Sequence, residues 1–241
     1  MLANLRQLAS PKNFYQFAGT IYPWILFLAV GTLCFGLVWG LLYSPPDYQQ
    51  GETVRIMYLH VPMAIMSMAA YMVMAGASAV GLVWHLKTAH IVARSCAPIG
   101  AMFTLVTLVT GALWGKPMWG TWWQWDARLT SELILLFLYL GYIGLYQAID
   151  VVETAERACA LLALVGVVNI PIIHFSVEWW HTLHQGPTIS RLNPTIDASL
   201  MGPLYLMILA HWMIFMAYVL MHSRTAILAR ERKTQWVKSL V

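Results

Sequence analysis

Apolar residues run along this chain in long blocks, not in the short alternations of a strand or the one-sided stripe of a surface helix. Six blocks stand out, roughly 21–43, 57–84, 93–113, 129–148, 158–175 and 203–221. Each is long enough to cross hydrocarbon at about 1.5 Å per helical residue. Helices are the required form, because an open sheet edge cannot be left unpaired in lipid. The pattern predicts an all-α polytopic membrane protein, a bundle of six transmembrane helices forming a single domain over 1–241. Ahead of the first block, Leu2, Leu5 and Leu8 predict a short amphipathic helix on the membrane surface. Residues 1–20 lack the continuous apolar core and small-residue cleavage site of a signal peptide, so the first span is expected to act as an uncleaved anchor.

Composition agrees: the chain is 60% hydrophobic and 10% charged, against about 25% charged for a soluble domain. The basic residues orient the bundle. Arg6, Lys12, Lys87, Arg94, Arg157, Arg224, Arg230, Arg232, Lys233 and Lys238 fall on one side, and only Arg55, Lys116, Arg128 and Arg191 on the other. That excess predicts cytoplasmic termini. The basic tail, 224–238, reads as a holder of anionic lipid headgroups, with docking of a cytoplasmic subunit as the alternative. Cys34, Cys96 and Cys159 form no CxxC pair, which argues against a thiol–disulfide carrier and leaves them as small core-filling residues.

The polar interruptions gather on the outer side. The stretch 114–128, Trp-Gly-Lys-Pro-Met-Trp-Gly-Thr-Trp-Trp-Gln-Trp-Asp-Ala-Arg, is predicted to be an external loop and holds five of the chain's 12 tryptophans. One reading is an interfacial belt. The other is a binding surface built from flat, rigid aromatic faces. A belt is spread over all the helix ends, so crowding into one loop favours the second reading.

Topology then sorts the histidines. His85, His90 and His222 fall on the cytoplasmic side and are expected to be solvated. His211 lies mid-span, where an imidazole needs a partner, expected to be a hydrogen bond to a neighbouring helix, with metal ligation as the alternative. His60 closes the outer end of the second block, and His174, His181 and His184 surround the outer end of the fifth, beside Trp179 and Trp180. Zinc held by this cluster with Glu178 and Asp126 needs three or four close ligands, and no HExxH helix is present. Haem fits better: a flat apolar disc whose iron takes axial imidazoles and whose edge carries two carboxylates. Arg55 and Arg128 are candidates for those propionates through forked hydrogen bonds. Salt bridges to Glu52, Asp126 or a headgroup are the alternative for both.

The run Trp119-Gly120-Thr121-Trp122-Trp123-Gln124-Trp125-Asp126 resembles the WWD signature of the haem-handling membrane proteins of cytochrome c assembly. With six spans, the motif in the second outer loop and one histidine in each flanking outer loop, the chain is similar to the cytochrome c maturation protein C (haem exporter protein C) family. The resemblance implies that His60 and His184 are the axial ligands of haem b. It also implies a haem platform of Trp114, Trp119, Trp122, Trp123, Trp125 and Asp126. His174 and His181 have no counterpart in it. The related synthases continue the motif with proline and glutamate and use a further intramembrane histidine pair. Here the continuation is Ala127-Arg128-Leu129-Thr130 and His211 stands alone in mid-span, which favours handling of haem over its ligation.

By the same resemblance, the protein sits in the bacterial inner membrane, presents haem at the periplasmic face and loads a membrane-anchored haem chaperone, cytochrome c maturation protein E. Its other implied partners are the ABC ATPase and permease subunits, cytochrome c maturation proteins A and B, the small single-span subunit, cytochrome c maturation protein D, and membrane lipid, with no nucleic acid. No GxxxxGK[ST] occurs, so the ATPase is another chain and this one a delivery subunit without an ATPase motif. Two competing classes are a quinone-linked b-type cytochrome and the haem-translocating permease itself. The first places paired histidines inside the bundle on facing helices. The second calls for intramembrane charge and broken helices in repeated halves. Surface histidines and sparse charge disfavour both.

Overall fold

A computed structural model describes residues 9–184 and 196–240. The expected N-terminal surface helix with Leu2, Leu5 and Leu8, along with Arg6 and Arg191, lies outside the described residues. Six helical segments are long and apolar enough to cross a membrane, and the described residues contain no strand. The chain is an all-α, multi-pass membrane protein.

Helix α1, Pro11–Val38, begins with proline in its first turn, where the missing N–H costs nothing. It runs on into a π-helical turn, Trp39–Tyr43. A 3-10 turn, Glu52–Ile56, leads into α2, Met57–Trp84. Helix α3 spans Lys87–Trp119, and α4, Ala127–Ala148, follows after the short segment that starts at Gly120. The fifth span is two helices, α5, Val152–Gly166, and α6, Asn169–Trp179. Helix α7 is Ala198–Arg230, and the four-residue α8, Gln235–Lys238, follows it.

Two of these elements differ from the hydropathy reading for definable reasons. The predicted loop 114–128 is helical as far as Trp119, so Trp114 and Trp119 stand on the last turns of α3. An apolar run ends where hydrocarbon ends, whereas a helix continues to the first residue that leaves the right-handed region. That residue is Gly120, at φ +76°, a conformation a side chain disfavours. The fifth span breaks because Pro171 has no N–H for the Val167 carbonyl four residues back. The Ile170 amide takes that carbonyl instead, at 3.0 Å. The Asn169 side chain, buried at the break, donates to the Ser131 carbonyl of α4 at 2.8 Å.

The main core lies between α2, α3, α4, the fifth span and α7, filled by Met66, Tyr71, Phe103, Leu135, Tyr139, Ile173 and Phe215. Cys96 and Cys159 are buried, and Cys34 is exposed on α1. Helix α1 packs chiefly on α7 and leaves Trp24, Phe27 and Leu28 facing outward, as a lipid-facing helix does. A second, smaller core of Val54, Met57, Tyr58, Leu200, Leu204 and Met207 closes the end of the bundle that carries the tryptophan motif, and Trp114 packs against it.

His211, His222 and His90 differ from their expected roles. His211 is buried, but its Nδ1 pairs at 2.7 Å with the Met207 carbonyl of its own helix, not with a neighbouring one. The carbonyl one turn back is always within reach, so no second helix is needed. At the opposite end, His85 is exposed, whereas His222 Nδ1 sits 3.1 Å from Ser95 Oγ and His90 lies against α2 at Gly81. Both α3 and α7 continue past the apolar run, so their polar ends still pack. Two basic tail residues are engaged there as well: Arg230 pairs with buried Glu156, and the Arg224 guanidinium lies 4.3 Å over the Tyr15 ring.

Candidate functional site

At the tryptophan end, the start of α2, the end of α3, the start of α4 and the end of the fifth span converge. His60 occupies the first turns of α2, and its Nδ1 lies 3.0 Å from Thr110 Oγ1 on α3. The Thr110 hydroxyl donates its own proton to the Val106 carbonyl at 2.6 Å. Only a lone pair is left to face His60, so the imidazole proton sits on Nδ1 and Nε2 is bare. The ring edge rests against the backbone of α3 at Gly111, where a Cβ would come 3.1 Å from the His60 Cε1. Trp114 meets the ring edge-on, centroids 5.6 Å apart, and is itself held by its Nε1 donating to Gln50 Oε1 at 2.9 Å.

His184 is built the same way from a different segment. Thr182 donates its hydroxyl proton to Asp126 Oδ2, and its lone pair faces His184 Nδ1 at 3.2 Å. The same imidazole nitrogen is 3.4 Å from Asp126 Oδ2. Both neighbours accept, so His184 also carries its proton on Nδ1 and leaves Nε2 free. The ring packs on Trp119, centroids 4.7 Å apart at 65°. Asp126 is fixed from the other side, since it N-caps α4 by accepting the Leu129 amide on Oδ1 at 2.8 Å.

The charges in this corner are set by burial and by these bonds. Burial pushes the Asp126 carboxyl up, but hydrogen bonds from Thr182, the Leu129 amide and His184 outweigh it and hold the group below its ordinary value. His184 is pushed down from 6.5 to about 4, first by burial and then by Arg128, against the opposing pull of Asp126. It is therefore neutral at pH 7. Arg128 lies within charge range of both histidines.

The remaining expected residues divide. Trp122 and Trp125 are 54% and 74% exposed, and Trp125 stands edge-on to Trp123 at 5.4 Å. Trp123 turns inward, and its Nε1 is buried without a partner among the described residues. Arg55 makes a 2.5 Å ion pair with Glu52 and donates to the carbonyls of Leu41 at 2.7 Å and Gly40 at 3.2 Å. It thus takes the salt-bridge alternative and covers carbonyls at the end of the π-helical turn. His174 and His181 are exposed, His174 lying edge-on to Phe175. Among the described residues no group of three or more His, Cys, Asp or Glu gathers, so the cluster expected of zinc does not form there.

Thr110, Thr182 and Gln50 contribute to this region, Glu132 lies one turn beyond Arg128, and none of the four was singled out from the sequence. Only Glu132 carried a signal there, as an acidic residue inside an apolar run.

The heme exporter protein C family model matches residues 4–238. Heme exporter protein C of Escherichia coli strain K12 is 51% identical over 100% of this chain and 98% of its own length. The protein of the same name from Haemophilus influenzae is 49% identical over 98% of this chain and 96% of its own. That from Rhodobacter capsulatus is 41% identical over 93% and 94%. The chain belongs to the heme exporter protein C family.

Proposed function

We propose that this protein holds haem b at the periplasmic face of the bacterial inner membrane and transfers it to a membrane-anchored haem chaperone, cytochrome c maturation protein E. The single domain over 1–241 works in an export and delivery complex with an ABC ATPase and permease pair, cytochrome c maturation proteins A and B, and a small single-span subunit, cytochrome c maturation protein D. Both termini lie in the cytoplasm, the side favoured by the excess of basic residues. Haem is cargo here, so the site must hold and then release it.

The observation that carries this reading is the matched pair of imidazoles. His60 and His184 each have Nδ1 engaged by an acceptor and Nε2 bare, the form in which histidine ligates iron. Neither has to change tautomer on binding. The relatives' name, heme exporter protein C, points the same way. Trp114 and Trp119 hold the two rings, and Trp122 and Trp125 offer exposed aromatic faces to the macrocycle. With Arg55 committed to Glu52, Arg128 is the favoured partner for the haem propionates.

The test is the absorption spectrum of the purified protein, compared with His60→Ala plus His184→Ala. Co-purifying haem gives a Soret band in the native protein that falls or shifts in the double variant. An unchanged band would move the ligands elsewhere.

A further inference from the structure

Glu132 is a buried acid that nothing above uses. It sits in α4, four residues after Arg128, so the two side chains share one face of the helix a single turn apart. It is 5% exposed, and its Oε1 has no hydrogen-bond partner among the described residues. A buried carboxylate oxygen without a donor is costly, and an ionisable group inside a membrane span ordinarily marks function. Asp126 is also within charge range of Arg128, but its two oxygens are already taken by Leu129, Thr182 and His184. Glu132 has spare capacity. Ser67 on α2 is its polar neighbour.

We infer that Glu132 is a competing counter-charge for Arg128: from one turn away it draws on the guanidinium in the empty site and competes with the haem carboxylates when the site is full. This rests on the reading that Arg128 meets the propionates. The consequence is a weakened grip, suited to cargo that must be passed on. In the low dielectric of the span, an acid one turn away still acts on the arginine, although the two form no close ion pair among the described residues. Glu132 is a positioning residue, acting on haem through Arg128. Its removal should tighten binding, the reverse of what loss of a ligand or a packing contact does.

The test uses the full chain in nanodiscs, loaded either with iron protoporphyrin IX or with its dimethyl ester, which lacks the carboxylate charge. Glu132→Gln keeps the shape and removes the charge. Release of protoporphyrin haem to apomyoglobin should slow by about tenfold, within the usual range of coupling between two sites, while release of the ester is unchanged. Glu132→Asp, which draws the charge back by one methylene, should fall between and serves if the glutamine variant does not fold. Faster release of both haems alike would make Glu132 a packing residue and overturn the inference. No effect in Glu132→Gln, with Arg128→Gln abolishing the preference for haem over ester, would also overturn it while leaving the propionate role of Arg128 standing. An unaltered preference in Arg128→Gln would remove that role and the inference together.

Discussion

Asp126 and His184 form one hydrogen-bonded unit, with the carboxylate Oδ2 3.4 Å from the imidazole Nδ1 and the Thr182 hydroxyl bridging the two. The other oxygen of the same carboxylate caps α4 through the Leu129 amide. The start of a membrane span and the orientation of a proposed iron ligand therefore depend on a single side chain. This gives the acid that ends the tryptophan motif a role distinct from its neighbours: it orients the proposed ligand, while they are the proposed aromatic surface.

The two roles of Asp126 separate in two variants. Asp126→Asn keeps a capping oxygen, so α4 should keep its start, but the negative charge that orients His184 is gone. Haem affinity should fall by about 10–100-fold, the usual loss when a partner of a metal-ligating histidine is removed. Asp126→Ala also loses the cap, worth about 1 kcal/mol, so its thermal midpoint should drop as well. Haem titration and thermal unfolding, run side by side, check both. Native haem affinity in Asp126→Asn would sink the orienting role.

His184 also makes a pH prediction. Its folded-state value is pushed from 6.5 to about 4, so between those limits the unfolded chain binds a proton that the folded chain refuses. Stability then rises with pH across that window. The contribution is complete above 6.5 and is lost as pH falls toward 4. In haem-free protein, nitrogen NMR of labelled histidine at pH 6 should show His184 as a neutral ring protonated on Nδ1. A charged ring at that pH would contradict the arrangement around Asp126.

The bundle was legible in the sequence because membrane spans are written in composition alone: each helix must be apolar over a fixed length, whatever it packs against. The helix ends were less so. Trp114 and Trp119 read as loop because hydropathy registers hydrocarbon, not hydrogen bonding, and the break after Gly166 depended on Pro171 acting on a carbonyl one turn away. His60, His184 and the tryptophans were legible as a group through their resemblance to a known motif. What was not legible is which hydroxyl holds which imidazole. Thr110 and Thr182 are ordinary threonines in the sequence, and only the folded chain brings one of them against a histidine 50 residues away and sets the other between Asp126 and His184.

Thr110 carries its own prediction. Thr110→Val is nearly isosteric but removes the hydroxyl that accepts from His60 Nδ1, so the ring is held less firmly with Nε2 bare. Haem retained on purification should fall by about 10–100-fold in affinity, and Thr110→Ser should restore it, because serine can make the same back-bond to Val106. Full retention in Thr110→Val would mean that the contact at Gly111 and Trp114 is enough to fix the ring.

Orientation is tested by labelling. Cys96 and Cys159 are buried, so replacing the exposed Cys34 leaves a quiet background. With the tryptophan motif outside and the tail inside, Gln124→Cys should react with a membrane-impermeant maleimide on intact spheroplasts. Lys233→Cys should react only after permeabilisation. The reverse pattern would overturn the charge-based topology.

The tryptophans should divide by what each one touches. Trp119 packs on the His184 ring, so Trp119→Ala removes its lateral support and should lower haem retention, whereas Trp119→Phe keeps an aromatic contact and should retain most of it. Trp125 is 74% exposed, and loss of such a side chain usually changes stability by no more than about 0.5 kcal/mol. Trp125→Ala should therefore leave the thermal midpoint near native while reducing haem loading, if the exposed face receives the macrocycle. Under the interfacial-belt alternative the same variant loads haem normally and inserts into the membrane less well. Haem-to-protein ratio and membrane yield, measured on one preparation, separate the two, because each alternative moves a different one of the pair.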